Sequence, residues 1–131
     1  MQALLLQALP LQALFAQTAF AMAQQDVRFF LNGVRFKIAD ETLSIAATDG
    51  HRLALAHSPE ILDPTLTHCV ILPRKAVQET IRLLTKPEDI HLQITQQHCQ
   101  ITSTQFQLTM NLLQGQYPEV NQLLPVGDTG Y

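Results

Sequence analysis

The spacing of apolar side chains changes along the chain, and it predicts which segments are helices and which are strands. Near the amino end, apolar residues recur every three to four positions, which predicts an amphipathic helix over residues 11–23 with Pro10 in its first turn. A second helix is predicted to begin at Pro73 and to end near Thr85. The side chains of the first helix predicted to face the core are Leu11, Leu14, Phe15, Thr18 and Met22.

Alternating apolar and polar residues predict strands in most of the remaining chain. Residues 27–38 form the first predicted strand, in which Asn32-Gly33 marks either a two-residue hairpin turn or a bulge. Turns are predicted at Asp40-Glu41 and Asp49-Gly50, and residues 58–67, with two prolines, are predicted to be a connector. The other predicted strands are residues 43–47, 53–56, 69–72, 90–95, 99–103 and 106–113.

The order of these elements divides the chain into two similar halves. The first half is a helix followed by three strands, and the second is a strand, a helix and three strands. If residues 1–6 supply a short strand, both halves have the same order, although no sequence repeat is visible. Two helices cannot cover both faces of eight strands, so we expect them side by side on one face of antiparallel sheets. The 131 residues thus predict one α+β domain, residues 1–131.

Charge is scarce, and its placement on the second helix is uneven. The chain has a formal net charge of −3, which does not favour nucleic-acid binding on bulk charge alone. One face of the second helix nevertheless concentrates half of the basic residues with a single acid. This face is either a phosphate-binding surface or an ordinary solvated helix face. Its members are Arg74, Lys75, Gln78, Glu79, Arg82 and Lys86.

Two features of the sequence bear on its compartment. Cys69 and Cys99 are too few for a disulfide framework and lack metal-ligand spacing, so we expect both to be buried and reduced. The first 25 residues are uncharged and apolar enough to resemble a signal peptide. No basic residue precedes the apolar stretch, however, and glutamines divide it into short apolar runs. We therefore predict a cytoplasmic protein with no membrane segment.

Candidate catalytic chemistry is confined to Asp49-Gly50-His51-Arg52. Asp49 and His51 could act as an acid–base pair in a small cytosolic enzyme, or they could be polar neighbours in a hairpin. No phosphate-binding glycine loop, nucleophile motif or metal-ligand spacing accompanies them. The residues therefore favour a binding module without metal or cofactor over an enzyme, with a structural interaction domain as a third alternative.

Several segments together resemble one family. They are residues 25–33, residues 47–54, Leu72-Pro73-Arg74-Lys75 and Gly115-Gln116-Tyr117-Pro118, the last of which precedes Leu124-Pro125. In this order they resemble the middle domain of the bacterial DNA polymerase III beta subunit, the sliding clamp, over roughly residues 9–125. The first eight residues do not resemble the leading strand of that family, and the first helix lacks its basic residues.

The resemblance implies a DNA-clamp fold with helices inside and sheets outside. In this family three such domains form a protomer, and two protomers close a ring around duplex DNA. The ring tethers the polymerase and has no catalytic activity of its own, and DNA polymerase and clamp-loader subunits bind it through short peptide motifs. We expect the isolated domain to be a monomer.

The resemblance also implies two sets of site residues. The partner-peptide pocket carries over to Leu31, Thr48, Gly50, His51, Arg52, Leu53 and Pro125. DNA contact carries over to Gln25 and to Phe29 and Phe30, where the family commonly has tyrosines. On the second helix, Arg74, Lys75 and Arg82 are the residues expected to face the duplex.

Overall fold

The structure is a computed structural model that describes residues 2–119, without the side chain of Gln2. These residues form ten elements joined by short loops and by two 3₁₀ turns, Ala19–Ala21 and Phe29–Leu31. The elements are β1 (Gln2–Gln7), α1 (Ala8–Thr18), β2 (Gly33–Ala39), β3 (Thr42–Thr48), β4 (Leu53–His57), β5 (His68–Pro73), α2 (Arg74–Leu83), β6 (Asp89–Ile94), β7 (His98–Thr102) and β8 (Gln107–Asn111).

The strands form two antiparallel sheets, in the orders β1-β6-β7-β8 and β4-β3-β2-β5. Each half of the chain is a strand, a helix and three strands, which confirms the predicted order. The first strand of each half pairs with the sheet of the other half, β1 with β6 and β5 with β2. Because of this exchange, neither half completes its sheet alone.

The two helices lie in contact with each other, and both pack on the β4-β3-β2-β5 sheet. One continuous apolar core joins them to both sheets, with Phe15, Phe36 and Leu92 among its buried side chains. The five side chains of the first helix predicted to face the core are all buried. Helical periodicity therefore identified the packed face of α1 correctly.

The bounds of the helices differ from the prediction. Helix α1 begins at Ala8, three residues early, and becomes a 3₁₀ turn after Thr18. Pro10 is its third residue, where a backbone N–H has no partner within the helix, so the early start costs no hydrogen bond. Helix α2 begins at Arg74, with Pro73 as its N-cap residue, and ends at Leu83.

The strand predicted over residues 27–38 is wrong in its first part. Phe29–Leu31 is a 3₁₀ turn, and β2 begins only at Gly33. The Asn32 amide closes the turn, since it donates to the Asp26 carbonyl at 3.1 Å and accepts the Asp26 N–H at 3.0 Å. Asn32-Gly33 is therefore neither a hairpin turn nor a bulge. Gly33 is required because a Cβ there would lie 2.1 Å from the Leu72 carbonyl oxygen.

The two predicted turns have different lengths. Asp40 and Glu41 form a two-residue hairpin turn with φ of 52° and 66°, as predicted. The other hairpin pairs Thr48 with Leu53, which leaves a loop of four residues rather than the predicted two. We call residues 49–52 the hairpin loop.

Both cysteines were predicted to be buried, and the prediction is correct for Cys99 but wrong for Cys69. Cys99 is buried, and burial raises the pKa of its thiol to about 12. Cys69 is exposed, because β5 is an edge strand and Cys69 lies on the face of it that points away from the core. Among the described residues, no helix is long and apolar enough to cross a membrane.

Candidate functional site

The hairpin loop is built around Thr48, whose side chain is almost fully buried (2% exposed). The Thr48 hydroxyl donates to the Arg52 carbonyl at 2.7 Å and accepts the Gly50 N–H at 3.1 Å. A single threonine therefore closes the loop from inside and satisfies two backbone groups that the strand pairing leaves free.

Asp49 holds the loop from outside. Its carboxylate accepts the N–H groups of His51 at 2.9 Å and Arg52 at 3.2 Å, and it also accepts Nε of Arg52 at 3.2 Å. These contacts, the His51 N–H above all, hold the pKa of the Asp49 carboxyl below its usual value. Because Asp49 accepts the backbone N–H of His51 rather than contacting its imidazole, the alternative of an acid–base pair is not assembled.

Arg52 folds back over the turn that follows α1. Its guanidinium donates to the Phe20 carbonyl at 2.8 Å and lies 5.2 Å from the centroid of the Phe20 ring. The ring is 59% exposed and faces solvent beside the loop. Sequence reasoning missed Phe20, although a large aromatic residue outside the apolar stripe of the helix was a usable signal.

Tyr117 contacts both Leu31 and Thr48 and so links them. Leu31 and Tyr117 belong to a small buried cluster with Ala23 and Ile71. The Tyr117 hydroxyl accepts the Thr48 N–H at 3.1 Å, and burial raises the pKa of that hydroxyl to about 12. Leu31 is itself only 2% exposed, so it supports the surface next to the hairpin loop from below.

Gly50 connects this loop to residues 25–32. Its φ of +94° favours glycine, and a Cβ would lie 3.1 Å from a terminal nitrogen of Arg28. Arg28 is fixed by an ion pair with Asp26 at 3.0 Å. Arg28 was not among the predicted site residues, although it lies inside one of the motifs that carry the resemblance.

Leu53, half-buried, and His51, exposed, complete this surface, while Pro125 lies outside the described residues.

The residues predicted to contact DNA form two groups. Gln25, exposed with φ of 56°, shares a segment with Phe29 and Phe30, whose rings meet edge to face at 5.8 Å. Arg74 lies beside this segment, since its backbone N–H donates to the Asn32 carbonyl at 2.9 Å.

The second group is the basic face of α2, and it is less positive than the sequence indicates. Arg82 pairs with Glu79 at 2.6 Å, and the pair lowers the pKa of Glu79 and raises that of Arg82. Arg74 is half-buried, and a terminal nitrogen of its guanidinium lies 3.4 Å from the Met22 carbonyl oxygen. Lys75 is exposed and is not in an ion pair with any described residue.

Comparison with known proteins identifies the class of this domain. A family model described as DNA polymerase III beta subunit, central domain, matches residues 6–119. The beta sliding clamp of Pseudomonas putida is 42% identical over 111 residues, 84% of this chain and 30% of that protein. The beta sliding clamp of Escherichia coli K12 is 39% identical over 109 residues, 82% of this chain.

Solved structures agree with the sequence matches. The DNA polymerase III subunit beta of Pseudomonas aeruginosa superimposes with a TM-score of 0.91 at 37% identity and covers 97% of this chain and 35% of its own. The sliding clamp of Bacillus subtilis superimposes with a TM-score of 0.89 at 28% identity over 95% of this chain. The fold is that of a DNA-clamp domain. The chain belongs to the DNA polymerase III beta subunit family and corresponds to its central domain, which is about a third of the length of these relatives.

Proposed function

We propose that this chain acts as the central domain of a ring-shaped sliding clamp. In such a ring, two protomers encircle duplex DNA in the cytoplasm and hold the polymerase on its template without catalysing a reaction. The observation that carries this proposal is the match to the central-domain family over nearly all the described residues. The rest of each protomer would come from domains beyond the third of the relatives that this chain spans.

The hairpin loop and its neighbours form the proposed partner-peptide site. Apolar surface is available there, since Leu53 is half-buried and Phe20 is exposed. The loop is fixed by its own hydrogen bonds, so a peptide would not have to order it, and preorganisation of this kind favours binding. A short peptide with leucine and phenylalanine anchors fits an apolar surface with a polar rim. DNA polymerase and clamp-loader subunits are the proposed donors of such peptides.

An amide chemical-shift titration with a Gln-x-x-Leu-Phe peptide tests the site. We expect shifts at Thr48, Gly50, His51 and Leu53, and also at Pro125's neighbours. Only part of the cleft is present in this chain, so affinity should be in the high micromolar to millimolar range, roughly −4 to −6 kcal/mol. Shifts confined to α2, or none at millimolar peptide, would contradict the proposal.

His51→Ala is the matching variant. The described contact of His51 with Asp49 uses only its backbone N–H, so the substitution preserves the loop. It should weaken peptide binding by several-fold, because the imidazole lies at the rim of the site. His91→Ala is the control, since His91 is also exposed but lies on β6 in the other sheet. Equal affinity of both variants would count against the assignment.

For DNA we propose weak, sequence-independent contact through Lys75, Arg74 and Arg82, with Gln25, Phe29 and Phe30 beside the duplex. Few phosphates would be contacted, so the dissociation constant should be roughly 10⁻⁴ M or weaker and should rise steeply with salt. Fluorescence anisotropy with labelled duplex checks this. Lys75→Ala should weaken binding and reduce its salt dependence, while Gln78→Ala on the same face should not. Sequence-selective or salt-independent binding would contradict the proposal.

We further propose that residues 1–131 fold as one domain and remain monomeric when alone. All eight strands of the two sheets come from the described residues, and both helices pack on one core. Sedimentation at micromolar concentration should therefore give a monomer mass. A tight dimer under these conditions would show that the domain carries an association surface of its own.

A further inference from the structure

The outer face of the β4-β3-β2-β5 sheet carries a row of polar side chains. The strand register places Lys37 between Cys69 and Ser44, and it places Ser44 opposite His57. Arg35 precedes Lys37 by two residues on β2, so it lies on the same face. Adjacent strands are about 4.8 Å apart, so these groups are close neighbours across the four strands of the sheet.

Four of these side chains, Arg35, Lys37, Ser44 and His57, line an open cavity of about 400 Å³. Arg35 is 8% exposed, and one terminal nitrogen of its guanidinium donates to the Ser44 hydroxyl at 3.1 Å. Its Nε is buried and has no hydrogen-bond partner. Neither Arg35 nor Lys37 is in an ion pair with any carboxylate of the described residues. Asp40, at the rim, is the acidic residue of the lining.

A buried guanidinium without a counter-ion is energetically costly. Arginine cannot lose its proton in a protein, and a buried donor without an acceptor destabilises the folded state. The net charge of the chain is negative, so the local excess of positive charge is not a property of the whole surface. An anion in the cavity would balance the charges of the Arg35 guanidinium and the Lys37 ammonium together.

We propose that this cavity binds a phosphate-type oxyanion. Ser44 accepts from Arg35 and so keeps its own hydroxyl hydrogen available for a ligand oxygen. Donors then converge from Arg35, Lys37 and Ser44, with the imidazole of His57 at the rim. A tetrahedral ligand with several acceptor oxygens matches donors on separate strands better than a planar carboxylate does.

The site is distinct from the surface proposed for DNA on α2. Both helices pack on the opposite face of this sheet, where Phe36 and Ile45 point into the core. The basic face of α2 therefore cannot share a ligand with Lys37. The inference does not depend on the clamp function, because it uses only the charge, burial and register of β2, β3 and β4.

The test is an amide chemical-shift titration of the 131-residue chain with sodium phosphate at constant ionic strength, balanced with sodium chloride. We expect saturable shifts at Lys37, Ser44 and His57 with a dissociation constant in the millimolar range. A parallel titration with sodium acetate should give much weaker binding. Shifts that do not saturate, equal shifts with chloride alone, or tighter binding of acetate would overturn the proposal.

Variants locate the site without disturbing the buried Arg35. Lys37→Gln should weaken phosphate binding about fivefold, as expected from the loss of one charge-assisted contact of about 1 kcal/mol. Asp40→Asn should tighten it, because a repulsive charge leaves the rim. Lys86→Gln, an equivalent change at an exposed lysine just after α2, should leave phosphate binding unaltered. If Lys37→Gln and Lys86→Gln, both still folded by circular dichroism, bind phosphate equally, the proposal is wrong.

Discussion

The hairpin loop and the basic face of α2 are both clusters of charged residues in the sequence, but their side chains make different contacts in the folded chain. In the loop, Asp49 accepts three N–H groups and Arg52 is fixed between Asp49 and Phe20. On the helix, Lys75 points into solvent and Arg82 has one exposed partner, Glu79. Charges in the loop thus build local structure, whereas those on the helix mainly contribute an electrostatic field.

This difference predicts where substitutions act. A change in the loop removes hydrogen bonds that determine backbone conformation, so it should alter stability and shape together. A change on the helix face removes charge that water and salt already screen, so it should alter long-range attraction with little effect on folding. The four predictions below test this contrast, beginning with the largest expected effect.

Thr48→Val should have the largest effect. The substitution keeps the shape of the side chain but leaves the Gly50 N–H and the Arg52 carbonyl without their partner. The free energy of unfolding should fall by about 2–3 kcal/mol, measured by urea denaturation. The control is Thr102→Val, because Thr102 lies at the end of β7 and its hydroxyl makes no described hydrogen bond. Equal losses in both variants would mean that the loop is not held by Thr48.

Tyr117→Phe should have a smaller effect of the same kind. It removes only the hydroxyl that accepts the Thr48 N–H, while the ring remains in its cluster with Leu31. We expect a loss of about 1–2 kcal/mol in the same urea experiment, because a buried N–H is left unpaired. An unchanged midpoint would show that another group accepts this hydrogen.

The sequence predicted the parts of the fold that depend on periodicity. The core-facing stripe of α1, the two similar halves and the Asp40-Glu41 turn follow from local pattern, and the structure contains all three. The pairing of β1 with β6 and of β5 with β2 is an exchange between distant segments, and no local pattern encodes it. The burial predicted for Cys69 failed for the same reason, since the exposure of Cys69 depends on the position of β5 in the sheet.

The candidate site was predicted in part. The motif around Asp49 located the hairpin loop, but its four-residue length and the role of Thr48 depend on hydrogen bonds that residue types alone do not fix. Arg28 and Phe20 reach the loop from separate segments, so their contribution depended on the tertiary fold. The stretch at residues 27–31 has strand composition, and the contacts between Asp26 and Asn32 override that preference.

Acid should loosen the hairpin loop selectively. The pKa of Asp49 is lowered in the folded chain, so its contribution to stability is complete above the unfolded pKa, near 4. That contribution is lost as the pH falls through the lower, folded pKa. The amide shifts of His51 and Arg52 should therefore move below about pH 4, and they should not move in Asp49→Asn. A transition above pH 4, or one that persists in the variant, would contradict this.

Glu79→Gln should have the smallest effect on folding and a visible effect on charge. The Glu79–Arg82 pair is exposed, so the urea midpoint should not change measurably. The substitution releases Arg82 from its partner and makes the net charge of the chain less negative by one. Affinity for labelled duplex should therefore rise about twofold to threefold at low salt, and the gain should disappear at high salt. Gln78→Ala on the same face changes no charge and should leave the affinity unaltered. A destabilised Glu79→Gln variant with unchanged DNA affinity would show that this pair builds structure, as Asp49 does in the hairpin loop, and would remove the contrast between the two regions.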